Sequence, residues 1–365
     1  MTLARSAEQA QFAGSLHDML GAADGPAAAR AWAAGDRVPG LAAWRALATL
    51  GVTALAVPEH AGGLGASFTD VVVACEEIGQ HALPGPVAES VAAVPVLLAA
   101  LSGAAQPGGV APGEAPPGEG MPARWLSGLA SGELIATMAA PPWLPFAADA
   151  DAAGLVLLAG GNTVRLATPG ARHRSVDRPR SLFEATGGQM VAGGPVAADA
   201  VARALDAGAL ASSAQLLGAG RALLEASVRH ARQRAQFGRP IGSFQAVKHH
   251  LADVAIGLEF AGPLLYAAAV TLDDGGRHAA RDVSAAKVAG TDAARRAARV
   301  ALQVHGAIGY TEEHDLHLWL AKVRALAGAW GGQAEHRARV MAAITTPERG
   351  PEPTRPEAAG EPAWN

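Results

Sequence analysis

The residues best suited to chemistry fall in two short segments. The first is Arg232-Gln-Arg-Ala-Gln-Phe-Gly-Arg-Pro-Ile-Gly-Ser-Phe-Gln-Ala-Val-Lys248. A guanidinium is a planar fork of donors that suits phosphate oxygens, and Arg234 is the arginine of interest. Gly238, Pro240 and Gly242 break helical structure. A new helix is expected to start near Ser243, a good N-cap residue, with the Gln245 amide in its first turn. The second segment is Gln303-Val-His-Gly-Ala-Ile-Gly-Tyr-Thr311, where Gly306 and Gly309 let backbone approach a ligand closely. Taken alone, an arginine before a Phe-Gly turn also fits a solvated helix end, and Gly-x-x-Gly also fits a plain turn.

The histidines offer little metal chemistry in sequence. His249 and His250 are adjacent, so on a helix their side chains diverge by about 100°. His314 and His317 are three apart but have no further ligand nearby in sequence. No metal site is expected.

The 365 residues suffice for two or three domains, and 50% of them are apolar, enough for a large core. Only 17% are charged, with a formal net charge of −4, so no basic excess points to nucleic acid. Cys75 is the one cysteine, which excludes an internal disulfide. Met1–Gly14 lacks the basic and apolar regions of a signal peptide. The longest apolar-looking stretch, Val91–Leu101, is broken by Pro95 and too short for a bilayer. A soluble cytoplasmic protein is expected, with no membrane partner.

The elements that must position the two segments are legible from periodicity. Apolar residues recur at helical spacing over Glu8–Leu20, Leu41–Leu50, Thr69–His81 and Ser90–Leu101. Between the second and third of these, Val52–Val57 reads as a short extended run before Gly62, Gly63 and Gly65. Residues 104–120 are low-complexity and read as an exposed loop closing an N-terminal helical domain, 1–120. A small central β domain is assigned to 121–195, with runs Glu133–Met138, Gly154–Ala159 and Asn162–Ala167, and a hairpin turn at Gly160-Gly161-Asn162. Helical spacing returns over 196–346 as a C-terminal four-helix bundle, with Pro263 expected to kink one helix. The tail, 347–365, is expected to be disordered. The fold class is therefore α+β.

The first segment closely resembles the signature at the start of the C-terminal bundle in the acyl-CoA dehydrogenase family. The second resembles that family's Gln-x-x-Gly-Gly-x-Gly turn. Further matches follow in family order: Gly51-Val-Thr-Ala-Leu-Ala-Val-Pro-Glu59 with Gly62-Gly-Leu-Gly65, then Glu76-Glu-Ile-Gly79, then Trp125-Leu-Ser-Gly-Leu-Ala-Ser-Gly-Glu-Leu134. Together they span nearly the whole chain. The resemblance implies an acyl-CoA dehydrogenase-like fold, FAD as cofactor and an acyl-CoA substrate. It implies that Arg234, Phe237, Gln245, Gln303, Val304, His305, Gly306 and Gly309 reach the FAD of a neighbouring subunit. Phe237 could stack near the adenine or pack in the bundle, and the role of His305 stays open.

Two parts of the family pattern are absent. The stretch after Leu134 reads Ile135-Ala-Thr-Met-Ala-Ala-Pro-Pro-Trp143 in place of the hydroxyl-rich segment that holds the flavin ring. The catalytic glutamate is also missing. Alignment on Gly331-Gly332-Gln333 puts its usual position at Trp330, and the alternative position falls near Gly208. The nearest carboxylate there, Asp206, reads better as a solvated first-turn acid than as a displaced base. Glu335 lies on the wrong side of the turn, and His336 and Arg337 are expected at the surface or a subunit contact. The pattern resembles the non-catalytic partner in actinobacterial α2β2 dehydrogenases acting on steroid side-chain CoA esters, with a homologous subunit supplying the base. A self-sufficient homomeric enzyme using Asp206 and a flavin-free scaffold on the same fold are the alternatives.

Overall fold

The computed structural model describes residues 5–103 and 121–345. The loop expected at 104–120 and the tail expected at 347–365 lie outside the described residues. Six helices come first: α1 (Ala7–Ala22), α2 (Gly25–Ala33), α3 (Val38–Thr49), α4 (Phe68–Gln80), α5 (Val94–Gly103, entered through a π-turn at Glu89–Ala93) and α6 (Met121–Ala130). Ser6 and Ser67 start α1 and α4 with reciprocal capping boxes to Gln9 and Asp70. α2 begins with Asp24 accepting from the Ala27 N–H and Pro26 in its first turn. The run Val52–Val57 is not extended. Gly51 sits at φ +80°, and a 3₁₀ turn at Val52–Ala54 follows. Backbone bonds from Leu64 to Ala54 and from Ala66 to Leu55 then close the segment on itself.

The strands are β1 (Ala136–Ala139), β2 (Ala147–Ala148), β3 (Leu155–Gly160), β4 (Thr163–His173) and β5 (Leu182–Gly193). They form one sheet in the order β1-β3-β4-β5-β2. β1 and β3 run parallel, and the other pairings are antiparallel. Gly160 pairs with Thr163 across a two-residue turn in which Gly161 adopts φ +56°, the left-handed conformation such hairpins need.

Five helices follow: α7 (Pro195–Gln233), α8 (Gln245–Asp273), α9 (Ala279–His305), α10 (Leu316–Leu326) and α11 (Gln333–Thr345). At 1.5 Å per residue, α7 is roughly 58 Å long and reaches from the sheet to the far end of the bundle. It packs on α8, α9 and α10 and, through its other face, on α4. There the backbones touch: a Cβ on Gly218 would lie 1.9 Å from the Glu76 carbonyl oxygen, and one on Gly79 would lie 2.2 Å from that of Gln215. Every residue of α4 from Val71 to Gly79 is consequently buried. Glu76 is held there by Arg5 and Arg221, the latter at 3.0 Å.

α8 continues through Pro263 without a break. Among the described residues it is the one helix of sufficient length and apolarity to cross a membrane, whereas the sequence had singled out Val91–Leu101. It packs one face on α4, α7 and α9 and leaves Ile256, Phe260 and Leu264 exposed on the other. The resulting order is helical domain, sheet and helical bundle.

Candidate functional site

α7 ends where Arg234 turns extended, its N–H bonded to the His230 carbonyl at 2.8 Å. A hairpin follows, β6 (Ala235–Gln236) against β7 (Arg239–Pro240), turning through Phe237 at φ +51° and Gly238 at φ +77°. A non-glycine residue in that conformation is strained. The Ile241 N–H returns to the Arg234 carbonyl at 2.8 Å and closes the loop. Arg234 is exposed, and no hydrogen bond or ion pair engages its side chain among the described residues. Phe237 is 90% exposed. Its ring meets Phe244 edge-on at 6.1 Å, and Arg239 lies over the Phe244 ring at 4.3 Å. The hairpin thus projects a cation and an aromatic face away from the body of the chain.

Helix α8 starts one residue later than its sequence suggests. Ser243 belongs to a 3₁₀ turn and donates its hydroxyl to the Pro240 carbonyl at 2.7 Å. The N-cap is therefore Phe244, with no side-chain cap. Gln245 is the first helical residue and is exposed.

The second segment lies beside the first. The rings of His230 and His305 are 4.3 Å apart, and His314 meets His305 at 5.1 Å. His305 Nδ1 is 2.8 Å from the Ala301 carbonyl, so it carries a proton and donates. Nε2 is then an acceptor, buried and without a partner among the described residues. Burial, with His230 and His314 adding to it, lowers the pKa of His305 and keeps the ring neutral. Gln303 and Gly306 are exposed, Val304 is half-buried, and Gly306 has open space where a side chain would point. Gly309 differs. It is buried, and a Cβ there would lie 3.1–3.3 Å from Leu302, Leu316 and His305. It serves packing and offers no approach to a ligand. His249 and His250 are exposed on α8, and His317 Nδ1 donates to the His314 carbonyl.

The two positions at which a catalytic glutamate was sought meet in space. Trp330 is 1% exposed at φ +61°, and its indole lies directly on Gly208. A Cβ at Gly208 would fall 2.3 Å from the indole Cε3 and Cζ3. His336 fixes this arrangement. Its Nε2 donates to the Trp330 carbonyl at 2.9 Å, and its Nδ1 accepts from the Ser284 hydroxyl at 3.1 Å. Burial pushes its pKa down to about 4, so it works as a neutral ring. His336 is therefore a buried packing residue and not the surface contact expected, whereas Arg337 is exposed and pairs with Asp292.

The space left beside Trp330 amounts to about 10 Å³ and is lined by Glu89, Arg180, Gln215, Lys322 and Leu326 among others. Glu89, which sequence reasoning passed over, lies 3.7 Å from Arg180, and burial raises its pKa. Its only sequence signal was a lone acid at the start of an apolar helix. A much larger cleft, about 810 Å³, lies between α2, the β4–β5 connection and α10, and includes neither Trp330 nor Arg234.

Asp206 is neither solvated nor in a first turn. It sits in the interior of α7, is 7% exposed, and is held by both nitrogens of Arg339 at 2.5 and 3.1 Å. Burial raises its carboxyl pKa while Arg339 opposes the shift. Both oxygens are committed to the guanidinium.

The turn after β1 offers few donors. The Ala140 and Leu144 N–H groups bond to each other's carbonyls, and Pro141 and Pro142 have none. Trp143 lies over Gly331, 5.4 Å from the His336 ring and under Arg339, and its carbonyl accepts from the Gly331 N–H at 3.1 Å. This turn is stapled to the last turn of the bundle. It does not fit a flavin ring that needs hydroxyls and free N–H groups. The Arg234 hairpin and the bare His305 Nε2 do fit a ligand that brings phosphate oxygens and a hydrogen-bond donor.

Residues 6–105 match the family model described as acyl-CoA dehydrogenase, N-terminal domain, and residues 198–345 match acyl-CoA dehydrogenase, C-terminal domain. The acyl-CoA dehydrogenase IpdE2 of Mycobacterium tuberculosis is 31% identical over 306 residues, 83% of this chain and 86% of that protein. Among solved structures, the ChsE4-ChsE5 complex from Mycobacterium tuberculosis contains a chain with TM-score 0.74 at 22% identity, covering 95% of this chain and 100% of that one. A variant of the Tcur3481-Tcur3483 steroid ACAD gives TM-score 0.74 at 22% identity, covering 92% and 97%. The chain belongs to the acyl-CoA dehydrogenase family.

Proposed function

We propose that this chain is the base-less subunit of a heteromeric acyl-CoA dehydrogenase, contributing the Arg234 half of a shared FAD site to a homologous partner. One observation carries the reading: the Trp330 indole rests on Gly208 and fills the position of the base by either family placement. An indole cannot take the α-proton of a thioester, and the 10 Å³ beside it holds no acyl chain. Bound FAD supplies the hydride acceptor of the α,β-dehydrogenation. Of this chain's own residues, Arg234 binds phosphate oxygens, Phe237 covers an adenine-sized face, and His305 Nε2 accepts one hydrogen bond. Gln245, Gln303 and the Gly306 turn line the same end of the bundle. The names of two fold neighbours, each a pair of chains and one a steroid ACAD, support a homologous partner and a steroid CoA ester as substrate.

The test is to purify this chain alone and co-expressed with a homologous dehydrogenase chain from the same genome, recording visible spectra and acyl-CoA-dependent dye reduction. Flavin and activity only in the co-purified complex support the proposal. A yellow, active protein from this chain alone overturns it and makes Asp206 and Glu89 the carboxylates to mutate. Absence of flavin in every combination favours the scaffold reading.

A further inference from the structure

Outside the Arg234 hairpin and the Trp330 notch, three metal-binding side chains converge where α1 packs on the end of α4. Glu77 lies in the last turn of α4, and His81, the C-cap four residues on, bonds its N–H to the Glu77 carbonyl and so stands above it. His17 reaches them from α1. His17 Nδ1 is 3.2 Å from Glu77 Oε2, and His81 Nε2 is 3.2 Å from the same His17 Nδ1. All three donor atoms lie within 4.8 Å of one another. The two rings stand edge-on, centroids 4.7 Å apart.

Hydrogen bonding alone does not satisfy this cluster. A ring nitrogen has either one proton or one lone pair, directed along a single line in the ring plane. His17 Nδ1 therefore cannot serve a carboxylate oxygen and a second imidazole nitrogen fully at once. A cation between the three accepts all their lone pairs together. Zinc bonds of about 2.0–2.2 Å in a tetrahedron place ligand atoms roughly 3.3–3.5 Å apart, close to the two spacings seen. The third pair of donor atoms lies within 4.8 Å.

The surroundings are those of a ligand set. Arg5 approaches Glu77 through the other carboxylate oxygen, Oε1, at 3.5 Å, and so orients Oε2 toward the histidines. The Glu77 side chain is 8% exposed and that of His17 is 50% exposed, which leaves one side of the cluster open for a water as fourth ligand. Two imidazoles and one carboxylate form a donor set suited to zinc.

We propose that His17, Glu77 and His81 form a zinc site that ties α1 to α4. Gly79, two residues from Glu77, is where α4 meets the backbone of α7, so the metal braces the helix on which the bundle rests. The inference is independent of the half-site function.

Isothermal titration of the untagged, chelator-treated full chain with zinc chloride tests it. Roughly one zinc per chain is expected, with a rise in unfolding temperature as zinc is added. His17→Gln and His81→Gln should each weaken binding at least about tenfold. His60→Gln, at an exposed histidine outside the cluster, should leave it unchanged. Should His81→Gln fail to fold, the half-exposed His17→Gln decides. Absence of zinc binding, or binding that His17→Gln leaves intact, overturns the proposal.

Discussion

Gly208→Ala is the sharpest probe of the Trp330 notch. The new Cβ would lie 2.3 Å from two indole carbons and 2.6 Å from a third, whereas ordinary contact begins near 3.4 Å. The indole would have to retreat about 1 Å from a site where it is 1% exposed. Overpacking of this kind costs about 1–3 kcal/mol. The substitution also replaces glycine inside a helix, which by itself stabilises by about 1 kcal/mol. The net effect is a loss of up to about 2 kcal/mol. Trp330→Ala alone empties the notch and should cost about 3–5 kcal/mol. With the indole gone, Gly208→Ala keeps its helical gain and meets no obstacle, so its effect changes sign. The double-mutant cycle should therefore show a coupling of roughly 1–3 kcal/mol. Urea unfolding followed by far-UV circular dichroism reads all four proteins without relying on the tryptophan removed. Gly208→Ala stabilising the parent and the Trp330→Ala protein equally would show that the indole does not occupy the notch.

Two further outcomes follow from side-chain geometry. Arg234→Ala removes an exposed, unengaged guanidinium, so the folded chain should keep its stability. Flavin affinity of the co-purified complex should fall about 10–100-fold, the worth of one or two charge-assisted hydrogen bonds, measured by flavin release on dilution. Asp149 is fully buried, accepting from the Ser181 N–H and the Trp32 indole N–H, and burial lifts its carboxyl from 3.8 to about 6. Between those pH values the folded chain holds a proton that the unfolded chain has released, so stability falls as pH rises through the window and levels off above it. Asp149→Asn keeps both hydrogen bonds and tolerates the positive φ, and should lose that slope. Relative to the parent it should gain roughly 2 kcal/mol between pH 4 and pH 6, read from urea midpoints.

The long helices were legible because their apolar residues recur every three or four positions over many turns. The hairpin at Gly161 was legible because a glycine-asparagine pair between two apolar runs leaves little else to form. Val52–Val57 misled because an apolar run shows composition and not hydrogen bonding. The bonds from Leu64 and Ala66 that fold it into a turn come from ten residues further on. α2 went unread because its start, Gly25-Pro26, has the composition of a loop until the Asp24 cap is seen. The candidate site divides the same way. The Arg234 segment is local, and its hairpin could be expected from its glycines and proline. That Trp330 fills the notch at Gly208, that Arg339 clasps Asp206, and that His17 meets Glu77 and His81 depend on how helices distant in sequence cross. Periodicity is silent about such crossings.

The fit between Trp330 and Gly208 also bears on how this chain could change over time. A carboxylate placed at 208 alone collides with the indole, and one placed at 330 alone gives up the indole's packing, worth about 3–5 kcal/mol. Either single step costs stability before it yields any chemistry. Under the function proposed above, the packing of indole on glycine puts a stability cost on any single step toward a base of the chain's own, which favours keeping the division of labour with a partner.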